Sequence, residues 1–320
     1  MANVAVIGST SWGTTLAGLM GRAGHDVRLL ARTQQEAQHG GMSLQSYRAT
    51  CDPRAAFDCV GHVLWAVPSQ TMRTNAERFG PYLHSPVCHT SVAKGLEVET
   101  GMRMTEVLAD SLPGDTVAAL CALSGPNLAR EIGEGLPAAA VVASTDAVMR
   151  QEVQHLVNSP RFMTVPSDDL VGVELAGALK NIVALGAGMM DGLGLGDNAK
   201  AAFIALTWSE VISFAVAMGA RESSLYGLAG LGDVVATCVS DLSRNHYLGS
   251  EVAKGRRLED VLGSMQHVAE GVHTALAVHR ICDERELEAP IMTSVYRVLF
   301  ENYPVARAVA RFTGQVQRSR

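Results

Sequence analysis

Lys180 interrupts Glu174-Leu175-Ala176-Gly177-Ala178-Leu179-Lys180-Asn181-Ile182-Val183-Ala184, a segment apolar on most of its helical circumference. That pattern predicts burial. A buried ammonium is costly unless it is paired or serves chemistry that moves its proton, although a snorkelling structural lysine fits the pattern too. Glycine-rich turns follow at 191–198 and 227–233, and glycine at this density in a helical region predicts close backbone approach. The second turn ends on Asp233, either a charge partner for Lys180 or a cap for a helix over 234–239. Ser243-Arg244-Asn245 then brings together a guanidinium, an amide and a hydroxyl. That set suits a small phosphate, and it is also common surface composition. Lys94 follows an apolar run at 87–92. It is either a solvated lysine or a cation at the C-terminal edge of a parallel sheet, where doubly wound folds hold ligands.

A second constellation opens the chain, where a short apolar run at 3–7 leads into Gly8-Ser9-Thr10-Ser11-Trp12-Gly13 and a small-residue helix. A dinucleotide turn needs glycine to bend, bare backbone near the pyrophosphate, and a helix N-terminus whose N–H groups favour an anion. Gly8 and Gly13 fit the outer glycine positions. Thr10 holds the middle one, so its side chain is expected to crowd the diphosphate. Taken alone, the string reads equally well as an ordinary tight turn; its place at the head of a strand-helix alternation favours the cofactor. The second apolar run ends Leu30-Ala31-Arg32-Thr33, with no acid to grip the ribose 2′-hydroxyl of NAD. Arg32 instead suits the 2′-phosphate of NADP, or is a solvated arginine at a strand end.

The elements that must position these groups follow from the alternation. Strands are predicted at 3–7, 26–31, 62–66, 87–92, 117–123 and 138–143, with a further candidate at 161–165; amphipathic stretches between them indicate crossover helices and a parallel sheet. From about residue 170 the chain turns to long Ala-, Leu-, Met- and Gly-rich helical segments. The expected architecture is α/β, an N-terminal Rossmann-type doubly wound sheet over 1–170 and an all-helical domain over 171–320, meeting at a shared cleft.

With 320 residues, 48% of them hydrophobic, the chain is too long for most single cores. A net charge of -6 gives no electrostatic reason to seek nucleic acid or an anionic membrane surface. The six cysteines are scattered, with no CxxC pair and no zinc-like spacing against histidine, so they read as reduced packing residues and no metal is expected. The start MANVAVIG has no basic leader, which predicts a cytoplasmic protein. Residues 201–220 are long and apolar enough to span a bilayer, interrupted only by Glu210; they are read as a buried helix.

Taken together, SWGTTLA at 11–17, KGLE at 94–97, LSGPNLAREI at 123–132, ELAGALKNIVALGAGMMDGLGLGDNAKAA at 174–202, GLAGLGD at 227–233, SRN at 243–245 and EGVHTA at 270–275 closely resemble NAD(P)-dependent glycerol-3-phosphate dehydrogenase of the bacterial type. The resemblance spans nearly the whole chain. It implies a second domain of the 6-phosphogluconate dehydrogenase type. It implies cofactor contacts at Gly8, Thr10, Ser11, Trp12, Gly13, Arg32, Lys94, Ala129, Arg244, Val268 and Glu270. Substrate contacts are implied at Lys94, Gly125, Asn127, Lys180, Asn181, Asp233, Thr237, Ser243, Arg244 and Asn245. Catalysis falls to Lys180 as proton acceptor, with Lys94 and Asp233. The resemblance further implies NAD or NADP as cofactor, with Arg32 leaning toward NADP, a small phosphorylated substrate, a homodimer without integral membrane contact, and glycerol 3-phosphate supplied to phospholipid synthesis. Thr10 and Asn127 depart from the family's usual Gly and Ser or Thr. Two rival readings are a dehydrogenase of β-hydroxyacids, with a carboxylate on Arg244, and a non-catalytic redox sensor. Lys94, Lys180 and Asp233 argue against the sensor, which needs no proton donor.

Overall fold

A computed structural model describes residues 1–40, 46–240, 242–265 and 268–309, with the side chains of 38–40 excepted. The chain divides into two compact units, Met1–Lys94 with Arg103–Glu174, and Gly95–Met102 with Leu175–Arg320.

The first unit is built on strands β1 (Asn3–Ile7), β2 (Asp26–Leu30), β3 (Arg48–Thr50), β4 (His62–Trp65), β5 (Val87–Ser91), β6 (Val117–Ser124), β7 (Ala138–Ala143) and β8 (Phe162–Ser167). They form one sheet in the order β3-β2-β1-β4-β5-β6-β7-β8. The central strands are covered on both faces: β4 and β5 are buried at every residue, the polar His62, His89, Thr90 and Ser91 included. Helices α1 (Ser11–Arg22), α2 (Gln34–Gly40), α3 (Pro53–Phe57), α4 (Met72–Phe79), α5 (Met104–Ser111), α6 (Ala129–Gly133) and α7 (Ala147–Val157) connect them. The core gathers Leu16 and Met20 of α1 with Val4, Val6, Leu29, Leu64, Leu123 and Phe162.

Six predicted strands form, with ends moved by no more than a residue, and the candidate at 161–165 becomes β8. β3 was not expected. The sheet is not wholly parallel, because β7 runs antiparallel to β6, with Ala122 opposite Ala143. The physical reason is the connection between them. A parallel return needs an element that carries the chain back along the sheet, and α6, of five residues, reaches only about 7.5 Å.

The second unit is helical: most of α8 (Leu170–Gly192), then α9 (Gly196–Ala217), α10 (Glu222–Leu225), a π-helical turn at Leu228–Gly232, α11 (Asp233–Val239), α12 (Arg244–Ala253), α13 (Leu258–Ser264), α14 (Glu270–Arg285) and α15 (Pro290–Phe300). The segment Gly95–Met102 joins it through α14, where Arg280 Nη1 donates to Val98 O at 3.0 Å. Among the described residues α8 and α9 are long and apolar enough to cross a membrane by length and composition. The most apolar window of α8 is 89% buried inside the protein, but that of α9 only 33%. The expectation of a buried helix at 201–220 is thereby corrected. Apolar residues surround α9, and only one side has neighbours; Leu206 and Val216 face outward. Glu210 turns inward and accepts from Ile291 N at 2.9 Å and Met292 N at 2.7 Å, capping the start of α15. Burial pushes its carboxyl up to about 7.

The cysteine reading holds for Cys88, Cys121, Cys238 and Cys282, which are buried and free, while Cys51 and Cys59 are exposed. Neither exposed cysteine is a packing residue, since both sit on surface connections near β3 and β4 where no second layer covers them.

Candidate active site

In the first unit, the turn after β1 is dictated by contact. A Cβ on Gly8 would stand 2.5 Å from Ala66 O, where φ is already +108°, and one on Gly13 would lie 2.1 Å from Gly8 O. Only glycine permits this bend. Thr10 is the N-cap of α1, its Oγ1 accepting from Gly13 N at 3.1 Å and donating to Ala66 O at 2.9 Å. The expected crowding meets a rotamer pinned inside the turn at both ends. As the first two residues of α1, Ser11 and Trp12 have N–H groups without intrahelical acceptors, and the Trp12 Nε1 is buried without a partner. A helix start with free donors beside a bare-backbone turn fits a diphosphate.

Arg32 follows β2 with its side chain 82% exposed, paired to Glu36 at 2.6 Å. The absence of an acid at this strand end is a correct reading of the strand but not of the fold. Glu36 arrives from α2 and also accepts from Ser9 Oγ at 2.6 Å and Arg32 N at 3.2 Å. The Arg32 guanidinium, with the Ser9 hydroxyl, holds the Glu36 carboxyl down to about 2. The signal was present in the sequence as an i,i+4 Arg-Glu spacing.

At the far ends of β5 and β6, Lys94 is half-buried and its Nζ donates to Gly125 O at 2.7 Å. Two residues on, both amide atoms of Asn127 are buried without a partner. Ala129 begins α6, and its carbonyl accepts from Thr15 Oγ1 of α1 at 3.2 Å. The bonds thus join Lys94 to Gly125, and Ala129 to the helix that follows the glycine turn.

In the second unit, Lys180 is 7% exposed and Asp233 2% exposed. The Lys180 Nζ donates to Asp233 Oδ1 at 3.0 Å and to Thr237 Oγ1 at 2.6 Å, and Thr237 Oγ1 donates to Asp233 Oδ1 at 3.1 Å. Asp233 is the first residue of α11 rather than its cap, so the charge-partner reading holds. Beside Lys180, Asn181 Oδ1 accepts from Asn245 Nδ2 at 2.9 Å, and Asn245 Oδ1 accepts from Gly271 N at 3.0 Å. Ser243 caps α12 by accepting from His246 N at 3.2 Å. Arg244 is exposed next to it as a residue, but partial burial of its guanidinium lowers its pKa, opposed by the charge of Glu270 at the head of α14; Val268 lies exposed just before. The glycines divide by role. A Cβ on Gly192 would meet Ser250 O at 2.4 Å and one on Gly230 would meet Leu225 O at 2.1 Å, whereas Gly194 and Gly196 face open space with φ of +66° and +80°. Close approach holds for the first pair; the second serves the turn between α8 and α9.

Sequence reading missed the ties that fix these helices. His246 Nε2 lies 2.7 Å from Asp191 Oδ2, which also takes Lys200 Nζ at 3.1 Å. In the first unit, buried Glu174 accepts from Thr105 N and Oγ1 and from Arg103 at 2.5 Å. Among the described residues no cluster of His, Cys, Asp and Glu could hold a metal ion.

Comparison with known proteins meets this geometry. Residues 3–150 match the family described as NAD-dependent glycerol-3-phosphate dehydrogenase N-terminus, and residues 169–310 the corresponding C-terminus. A glycerol-3-phosphate dehydrogenase [NAD(P)+] of Dehalococcoides mccartyi is 41% identical over 315 residues, covering 94% of this chain and 88% of the relative. That of Corynebacterium aurimucosum is 38% identical, with both chains covered in full. The crystal structure of glycerol-3-phosphate dehydrogenase from Coxiella burnetii superposes with a TM-score of 0.92 at 30% identity, covering 98% of each chain. A glycine turn after the first strand of a mostly parallel sheet, a buried lysine-aspartate pair in a helical unit, and whole-length likeness on both counts lead to one assignment: the chain belongs to the NAD(P)-dependent glycerol-3-phosphate dehydrogenase family.

Proposed function

We propose that the chain interconverts dihydroxyacetone phosphate and sn-glycerol 3-phosphate, with residues 1–170 holding NAD(P) and residues 171–320 holding substrate. The carrying observation is the Lys180 ammonium, buried and held between Asp233 and Thr237. Such a group survives burial because its charge is paired and two of its three donors are bonded. The nicotinamide supplies or accepts the hydride when bound. Lys180 gives the proton to the oxygen of the ketone as it is reduced, and takes it back when the alcohol is oxidised. Lys94 polarises the same carbonyl by charge. Its present bond to Gly125 O supports a pre-aimed side chain. The unclaimed amide of Asn127 has a donor and an acceptor to offer a polyol.

Arg244 anchors the phosphate as a guanidinium fork, with Ser243 and Asn245 beside it. The Asn181–Asn245–Gly271 chain of bonds supports a rigid mount, so that binding energy far from the reacting carbon positions it. The first-turn donors of α1 with Gly8, Thr10 and Gly13 hold the diphosphate, Ala129, Val268 and Glu270 complete the cofactor contacts, and Arg32 leans the site toward NADP. The product feeds phospholipid synthesis in the cytoplasm. The exposed apolar residues of α9 and α11, among them Leu206, Val216, Val235 and Val239, support a homodimer. The net charge of -6 supports a chain without nucleic-acid partners.

Oxidation of NADPH followed at its absorbance band tests the reading. Dihydroxyacetone phosphate should support turnover while succinic semialdehyde and 2-ketoacids do not. Turnover on the acids alone would transfer the chain to the β-hydroxyacid dehydrogenases.

A further inference from the structure

The proposal concerns Glu36 and rests on the reading that the turn after β1 binds NAD(P). Three groups meet at its carboxylate: the Ser9 hydroxyl of the glycine turn at 2.6 Å, the Arg32 backbone N–H at the end of β2 at 3.2 Å, and the Arg32 guanidinium, with Nη2 at 2.6 Å and Nε at 3.1 Å. In a doubly wound sheet the adenosine half of a dinucleotide lies over the ends of the first two strands, where a 2′-hydroxyl seeks an acid and a 2′-phosphate seeks an arginine. Both groups stand there, bound to each other. The acid simply comes from the following helix instead of from the strand.

We propose that Glu36 sets the balance between the two cofactors: its carboxylate accepts the ribose 2′-hydroxyl of NAD(H), and it occupies the guanidinium that the 2′-phosphate of NADP(H) must take. Carboxylate and phosphate are both anions that match the guanidinium fork, so they cannot share it without repulsion. Binding of NADP(H) therefore exchanges one anion for another on Arg32, and binding of NAD(H) leaves the pair intact. Arg32 alone would favour the phosphorylated cofactor strongly; Glu36 tempers that preference and keeps the unphosphorylated one competitive. Ser9 pins the carboxylate to the turn and so stabilises the arrangement that suits NAD(H).

Calorimetric titration with adenosine 2′,5′-bisphosphate and with ADP reads this without turnover. In Glu36→Gln the affinity ratio of bisphosphate to ADP should rise by at least about tenfold over wild type, since a like charge leaves while the side chain keeps its size. Ser9→Ala should move the ratio the same way by less, and Arg32→Ala should lower it toward unity. Glu36→Asp, with its charge drawn back by one methylene, should lie between wild type and Glu36→Gln. A ratio in Glu36→Gln within about twofold of wild type overturns the proposal, as does an equal loss for both probes with an unchanged melting midpoint. A wild-type chain that binds neither probe nor NADPH would instead remove the cofactor reading itself, and this proposal with it.

Discussion

Lys180 and Asp233 are joined at 3.0 Å with both side chains nearly sealed from water, and Thr237, one turn along α11 from Asp233, bonds to each of them. The residue proposed to carry the proton is thus held by a carboxylate and a hydroxyl from a single short helix.

Replacing Lys180 by Met should therefore stop the chemistry and leave the first unit untouched. We expect kcat to fall by roughly 10²- to 10⁴-fold, with the NADPH dissociation constant, read by fluorescence titration, changed less than about twofold. The uncompensated Asp233 should also lower the thermal midpoint. A kcat within tenfold of wild type would remove Lys180 from the reaction.

Arg244 is exposed at the head of α12, so its loss costs little stability. Arg244→Ala should raise KM for dihydroxyacetone phosphate by about 10- to 100-fold with a smaller fall in kcat, the signature of lost ground-state and transition-state binding alike. An unchanged KM would tell against the anchor.

Glu210 makes stability depend on pH in a defined window. Its folded carboxyl is raised to about 7 from the ordinary 4.5. Between those values the folded chain binds the proton that the unfolded chain has released, so stability falls as pH rises. The contribution is fully present below 4.5 and gone above 7, and across the window it amounts to about 3 kcal/mol at most. Glu210→Gln should flatten this slope in melting curves taken from pH 4.5 to 8. A variant with the wild-type slope would assign the pH dependence elsewhere.

Arg103→Ala should destabilise the protein by about 3–5 kcal/mol, because it strands the Glu174 carboxyl in the interior. Burial already pushes that carboxyl up, opposed by the Arg103 charge and the Thr105 bonds. Glu174→Gln, which removes the charge and keeps an oxygen for Thr105, should cost less. Chemical denaturation measures both, and an equal loss in the two variants would show that size rather than charge matters there.

The strands were legible because buried parallel strands are short unbroken apolar runs bounded by turns, and β1 and β7 were read to the residue. β3 was not, since Arg48-Ala49-Thr50 is three residues with no apolar signature, made a strand only by pairing with β2. Lys180 was legible because one cation in an apolar helix has few explanations. Glu36 was not, although its spacing from Arg32 was in view, because a strand-end reading looks for the acid on the strand.

The sequence by itself determined the alternation that makes the first unit α/β, the helical character of the second, the glycine turn and the burial of Lys180. All of these follow from local periodicity and from the cost of placing a charge among apolar side chains. Only the tertiary structure decided the direction of β7, which faces of α9 are covered, and which acid meets Arg32. Those depend on which distant segments come to lie side by side, and periodicity within one segment carries no record of its neighbours.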